Sequence, residues 1–163
     1  MHQYIKYFYK KYLNKKGSGG LVNFTKLNLV KTLKTVQFAS ILTTTIAAME
    51  TADIEVIATS QITGLTAVQV FALSALQLAK VTTAQLAAMT AKQFASIDAA
   101  DVATLTTSQI SSMTIAHIGV LSANQVKAMS NASLGALSAS EKSSLTDVQK
   151  AGLTSSLQNS ILG

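Results

Sequence analysis

An eight-residue repeat keeps its phase along almost the whole of this 163-residue chain. Its pattern is [S/T]-x-x-Q-φ-x-x-[L/I/M], in which φ is an apolar residue. The first and fourth positions are filled by pairs such as Thr66 and Gln69, Ser74 and Gln77, Thr82 and Gln85, Thr90 and Gln93, Thr106 and Gln109, and Ser122 and Gln125. A fixed short period indicates a stack of structural repeats, and it constrains the fold more than any other feature of the sequence.

Neither a flat strand nor one continuous helix suits this period. The apolar residues occupy the fifth and eighth positions, so their spacings alternate between three and five, and a strand would place them on opposite faces. In a continuous helix, eight residues advance by roughly 800°, about 80° more than two full turns. The apolar stripe would then wind around the helix and leave no single face to bury.

A helix that restarts in every octad fits each position. If the Ser or Thr is the N-cap, the Gln falls at N3 and completes a capping box, while the flanking apolar residues form a hydrophobic staple. Each helix would then be about six residues long, below the ~12–15 residues that an isolated helix needs, so it must be stabilised by stacking. The sequence therefore predicts an all-α superhelical solenoid of very short helices, one per repeat, with a β-solenoid as the alternative.

The predicted solenoid covers residues 21–163, and its core should consist of the fifth and eighth residues of successive octads. These are Ile62, Leu65, Val70, Leu73, Leu78, Val81, Leu86, Met89, Phe94, Ile97, Val102, Leu105, Ile110, Met113, Ile118, Leu121, Val126 and Met129. The sixth and seventh residues are mostly small, including Gly64, Gly119, Gly135 and Gly152, which predicts close approach of neighbouring backbones. Lysine then enters the fifth position, which indicates a polar C-terminal cap over residues 138–163.

The N-terminal segment differs sharply in charge from the repeats. Residues 1–34 contain eight lysines and no acidic residue, whereas residues 35–163 contain five lysines and seven acidic residues. We call residues 1–16 the basic head; a Gly/Ser linker at 17–20 follows it. The candidate contact residues of the head for a membrane or a partner are Tyr4, Lys6, Phe8, Tyr9, Lys10, Lys11, Tyr12, Lys15 and Lys16. On a helix, the apolar and aromatic residues of the head share one face flanked by lysines, a pattern typical of interfacial helices.

Several roles remain open for the basic head. It could cap the first octads, bind an anionic membrane surface, or be a leader or an expression tag. Nucleic-acid binding through stacked tyrosines is disfavoured, because the repeats carry a net charge of −2 and so lack a basic stripe. The head also lacks the apolar run of an ordinary secretory signal peptide.

No residue pattern indicates catalysis, a metal or a cofactor. The chain has no cysteine and only two histidines, which argues against a metal site. His117 stands at the glutamine position of its octad, where a neutral imidazole can serve the same capping role. Asp98 and Asp101 occupy the N-cap and N3 positions and are expected to form a capping pair. The chain is therefore expected not to be an enzyme.

The run from Thr82 to Met89, TTAQLAAM, resembles the T-x-x-Q-[ILV]-x-x-[LM] octapeptide arrays of large bacterial secreted and surface proteins that are described as adhesin-like. The resemblance extends over about residues 34–161. It implies a non-enzymatic structural scaffold, secreted or at the cell surface, that contacts a protein or a glycan. The alternative is a peripheral membrane-binding module anchored by the basic head. End-to-end self-association of the solenoid also remains open.

Overall fold

The computed structural model describes residues 30, 31, 33–154 and 158. Within these residues, fifteen complete helices of four to six residues follow one another without a strand. They are α1 Thr35–Phe38, α2 Thr43–Ala47, α3 Thr51–Glu55, α4 Thr59–Ile62, α5 Ala67–Phe71, α6 Ala75–Leu78, α7 Thr83–Ala88, α8 Ala91–Ala95, α9 Ala99–Val102, α10 Thr107–Ile110, α11 Ile115–Val120, α12 Ala123–Ala128, α13 Asn131–Gly135, α14 Ala139–Ser144 and α15 Asp147–Ala151. The prediction of an all-α array with one short helix per octad is confirmed, and the β-solenoid alternative is wrong.

Each helix restarts because the first residue of the octad leaves helical geometry. The N-cap Thr82, for example, has φ −71° and ψ 159°, which is extended backbone. Its carbonyl nevertheless accepts the first helical hydrogen bond from the Leu86 N–H at 2.9 Å. An N-cap of this kind changes the direction of the chain at the start of every octad. The array is therefore bent once every eight residues.

The bends wind the chain so that helices three apart in the sequence come into contact. Helix α8, for example, contacts both α5 and α11. Side-chain hydrogen bonds between successive superhelical turns join residues 28 and 31 positions apart. One superhelical turn therefore takes about 28 residues, which is between three and four helices. The repeat pattern alone could not give this number, because it specifies the helix starts and not the angle between helices.

The fifth and eighth residues of the octads form one continuous buried core along the axis of the stack. All eighteen core residues predicted above are buried, and Leu86 and Phe94 are completely inaccessible to solvent. The core also includes Phe38, Ile46 and Ile54 on the N-terminal side and Leu134 and Leu145 on the C-terminal side. Such a short helix is stabilised by this shared core, because it buries too little surface alone.

The glycines show which of the two small positions is constrained. A Cβ at Gly64, in the seventh position, would collide with the carbonyl of Thr35 on the preceding superhelical turn. A Cβ at Gly152, also in the seventh position, would lie 3.2 Å from the carbonyl oxygen of Ala123. In the sixth position, a Cβ at Gly119 or Gly135 would meet nothing. The prediction of close approach is therefore wrong for these two glycines, because the sixth position faces outward.

Candidate functional site

The predicted contact residues of the basic head, from Tyr4 to Lys16, lie outside the residues that the structure describes. The predicted capping residues lie within them, and their polar side chains form a regular network between turns. This network and the outward surface that it supports are therefore the candidate functional site within the described residues.

The predicted cap residues meet in reciprocal pairs at the helix starts. At α7, the Thr82 hydroxyl accepts a hydrogen bond from the Gln85 N–H at 3.2 Å, and the Gln85 Oε1 accepts one from the Thr82 N–H at 2.7 Å. Reciprocal boxes of this form also join Thr66 with Gln69, Ser74 with Gln77, Thr90 with Gln93, Thr106 with Gln109, and Ser122 with Gln125. Two backbone N–H groups at each helix start are thereby satisfied.

The other half of each glutamine amide makes a contact that sequence reasoning missed. The Gln85 Nε2 donates to the carbonyl oxygens of Ile54 at 2.9 Å and Ile57 at 2.6 Å, on the preceding superhelical turn. The Gln149 Nε2 likewise donates to the carbonyls of Ile118 and Leu121, both at 2.8 Å. We call this pair of hydrogen bonds the clasp. It satisfies carbonyls at the end of one helix with the start of a helix one turn further along.

The clasp explains why glutamine, rather than glutamate, dominates the fourth position. A capping box accepts either residue, since only a side-chain oxygen is needed to receive the N-cap N–H. The clasp also needs two N–H donors, and of these two side chains only the amide supplies them at neutral pH. The excess of Gln over Glu at the fourth position was a sequence signal for the clasp. The carbonyl that accepts from the glutamine lies 28 residues away, however, and cannot be identified from one octad.

His117 makes a reduced form of the same network. Its Nδ1 accepts a hydrogen bond from the Thr114 N–H at 3.2 Å, and its Nε2 lies 2.7 Å from the Met89 carbonyl oxygen. These contacts require the neutral tautomer with the proton on Nε2. The ring is buried and stacks on Phe94 with a centroid distance of 4.9 Å. The geometry assigns His117 a structural role of the kind expected from its position.

The capping pair predicted for Asp98 and Asp101 is only half present. The Asp98 Oδ1 accepts a hydrogen bond from the Ala100 N–H at 2.9 Å, but Asp101 makes no return hydrogen bond to the Asp98 backbone. The Asp101 side chain is one methylene shorter than glutamine and carries no N–H donor, so it cannot form the clasp. Burial raises the pKa of Asp101, and the neighbouring charge of Asp98 raises it further.

Glu141 is a buried carboxylate at a clasp position. Its Oε2 accepts a hydrogen bond from the Ser138 N–H at 2.7 Å, which completes one half of the capping box. By the register of the repeat, a glutamine at position 141 would donate to the carbonyls of Ile110 and Met113. Gln149, in the next octad, donates to those of Ile118 and Leu121 in this way. The Glu141 side chain lacks the amide N–H groups with which glutamine forms the clasp.

Within the described residues, no three His, Cys, Asp or Glu side chains are grouped so that they could hold a metal ion. Among the described helices, none has the length and apolar character needed to span a lipid bilayer.

No protein-family model, no curated protein and no solved structure matches the chain.

Proposed function

We propose that this chain is a non-enzymatic interaction scaffold, a superhelical stack whose outward face contacts a protein or a glycan. The observation that carries the proposal is the clasp network: the polar side chains that recur in the repeat hold the backbone of the stack together. Gln77 illustrates this use, because its amide bonds to Ser74 on its own helix and to Ile46 and Met49 on the preceding turn. Polar groups committed in this way build a scaffold and leave binding to the outward positions.

The outward surface of the central turns is small-featured and weakly charged. Its third-position residues are exposed and include Ala84, Ala100, Ser108, Ala116 and Asn124. Because the stack turns about every 28 residues, similar side chains recur at a regular spacing along its length. A repetitive surface of this kind suits a repetitive or extended partner, such as a glycan chain or a fibrous protein. The resemblance to adhesin-like octapeptide arrays supports a secreted or cell-surface setting for it.

The scaffold proposal can be tested with an array of immobilised glycans and a panel of purified cell-surface proteins. The matched variant carries Ala84→Lys, Ala100→Lys and Ala116→Lys, three exposed changes that should leave the thermal unfolding curve unchanged. If the natural chain binds and the triple variant does not, while both unfold at the same temperature, the central turns are supported as the contact surface. Binding that is equal in both chains contradicts it.

A second candidate function is a peripheral membrane module, favoured by the eight lysines and absent acids of residues 1–34. Lysines near an anionic surface each contribute about 1 kcal/mol to binding, and salt screens that attraction. The test is co-sedimentation with phosphatidylserine vesicles at low and high salt. The natural chain is compared with the variant Lys10→Gln, Lys11→Gln, Lys15→Gln and Lys16→Gln. Salt-sensitive binding that the variant loses supports the membrane module, and binding by neither chain contradicts it.

A further inference from the structure

Large exposed hydrophobic side chains are concentrated in the first half of the described array. Of the eight in the described residues, five lie between residues 36 and 76, and none lies between residues 77 and 114. Four of these five are Leu42, Val68, Phe71 and Leu76, with exposed fractions of 55%, 65%, 59% and 75%. We call these four residues the Phe71 patch.

The superhelix brings members of the patch from different turns to the same side. Leu42 precedes Val68 by 26 residues and Phe71 by 29, close to the 28 residues of one turn. Leu42 is the N-cap of α2, and α2 contacts α5, which ends at Phe71. Leu76 lies in α6, the next helix in the chain, at the third position of its octad. The patch therefore joins two adjacent turns, at Leu42 and at Val68 with Phe71, and continues along the chain to Leu76.

The stack itself does not need apolar residues at these positions. The third position, occupied by Val68 and Leu76, is elsewhere Lys92, Ser108 or Asn124, and those octads form the same helix. The sixth position, occupied by Phe71, is small or polar in all the octads that follow. An exposed apolar cluster that folding does not require indicates a contact surface.

Charge and tethering point to the basic head as the segment that covers the patch. Residues 35–79 contain no lysine and two exposed acidic residues, Glu50 and Glu55, whereas the preceding residues 1–34 contain eight lysines and no acid. The predicted apolar face of the head, with Phe8, Tyr9 and Tyr12, offers matching hydrophobic area. Residues 17–29 can span at most ~40 Å, and a covalent connection of that length gives an effective concentration of about millimolar.

We propose that the Phe71 patch is the docking site for residues 1–16 of the same chain. The head lies outside the described residues, so the proposal rests on the patch, the charge distribution and the tether. Docking buries the aromatic face of the head against Val68, Phe71 and Leu76. It follows that the face which could insert into a membrane is covered while the head is docked. Vesicle binding and docking are therefore competing states of one segment.

The tyrosines provide a reporter that belongs to the head alone. All four tyrosines lie within residues 4–12 and the chain has no tryptophan, so tyrosine fluorescence reports only on this segment. The experiment measures acrylamide quenching of the full chain, of Phe71→Ser with Leu76→Ser, and of a control with Ile115→Ser and Val148→Ser. The control residues are also exposed, at 54% and 73%, but lie outside the patch. A synthetic peptide of residues 1–16 gives the quenching of the free head.

The expected result is that the tyrosines of the natural chain and of the control are protected relative to the peptide, independently of protein concentration. In the patch variant, quenching should rise to the value of the free peptide while thermal unfolding by circular dichroism stays unchanged. Quenching of the natural chain equal to that of the peptide would overturn the proposal whatever the variants do. Equal protection of the tyrosines in the patch variant and in the control would also overturn it. So would protection that disappears on dilution, because that indicates docking of a second copy, and so would protection that is seen only with anionic vesicles.

Discussion

The helices before Thr66 and those from Thr66 onward have the same geometry but begin with different residues. From Thr66 to Thr146, the N-cap side chain of each described helix accepts a hydrogen bond from its own first turn. Before Thr66, the N-caps Lys34, Leu42 and Ala58 make no such hydrogen bond. Even so, Ala58 has φ −69° and ψ 152°, the same extended backbone as the Ser and Thr caps.

What the two regions share is the clasp and the core. The Gln61 Nε2 donates to the carbonyl of Val30 at 3.0 Å, as the Gln93 Nε2 donates to the carbonyl of Ile62 at 2.8 Å. The core runs through both regions without a break. The comparison indicates that a helix start of this geometry does not require a hydroxyl cap, although the hydroxyl caps make the repeat visible in the sequence. Burial and the turn-to-turn clasp hold the stack together.

The largest expected effect comes from the shared core. Leu86→Asp places an unpaired charge at a completely buried position between turns. We expect a loss of more than about 4 kcal/mol and of helicity far beyond α7, because each turn depends on its neighbours. Circular dichroism and urea unfolding measure this. Lys92→Ala, at an exposed position, is the near-neutral control. A helicity loss confined to a single octad would contradict the stacked account in both regions.

Substitutions at Gln85 separate the clasp from the cap. Gln85→Leu removes the partners of the Thr82 N–H and of the Ile54 and Ile57 carbonyls, and should cost about 4 kcal/mol in unfolding free energy. Gln85→Glu keeps the acceptor for the Thr82 N–H but replaces the clasp donors with a buried carboxylate oxygen that faces the Ile54 and Ile57 carbonyls, so it should cost at least about 2 kcal/mol. Urea unfolding of both variants gives the difference. A Gln85→Glu protein as stable as the natural chain would show that the clasp contributes nothing.

Glu141→Gln tests the clasp in the opposite direction. The substitution keeps the acceptor for the Ser138 N–H and adds two donors opposite the carbonyls of Ile110 and Met113. We expect a gain of about 1–2 kcal/mol in unfolding free energy at neutral pH, measured by thermal and urea unfolding. Glu141→Ala is the matched control and should destabilise the protein, because it leaves the Ser138 N–H without its acceptor. Destabilisation by Glu141→Gln would be evidence against the clasp at this octad.

Single substitutions can remove a hydroxyl cap from one region and add one to the other. Thr82→Ala should cost about 1 kcal/mol, and Ala58→Thr should gain a similar or smaller amount by completing the box with Gln61. Urea unfolding resolves both changes. Both effects should be smaller than the loss caused by Gln85→Glu. If Thr82→Ala proves the more damaging substitution, the ranking of clasp above cap is wrong.

The smallest expected effect is a pH dependence at Asp101. Because its pKa in the folded protein is raised above the ordinary value of 3.8, the folded state holds the proton more tightly than the unfolded state does. Ionisation of Asp101 therefore destabilises the fold, and this penalty appears as the pH rises above 3.8 through the folded pKa. Asp101→Asn should raise the melting temperature at neutral pH and have less effect below pH 3.8. An increase that is the same at both pH values would contradict this assignment.

The sequence predicted the helix starts and the core because both are local properties of the octad. Thr90 and Gln93 indicate a capping box within four residues, and the fifth and eighth residues, such as Phe94 and Ile97, follow directly from the period. The clasp and the number of residues per turn depend on contacts 28 to 31 residues apart, which the pattern of one octad cannot encode. The Phe71 patch was missed for a similar reason, because Leu42 and Phe71 become neighbours only through the superhelical turn.

The central claim is that glutamine amides join successive turns of the stack, and NMR of the side-chain amide of Gln85 tests it most directly. The Nε2 protons of Gln85 should exchange slowly with solvent. They should also show nuclear Overhauser contacts to the backbone of Ile54 and Ile57, since Nε2 lies 2.9 and 2.6 Å from the two carbonyl oxygens. Rapid exchange of these protons, together with contacts only to residues of the same octad, would contradict the account.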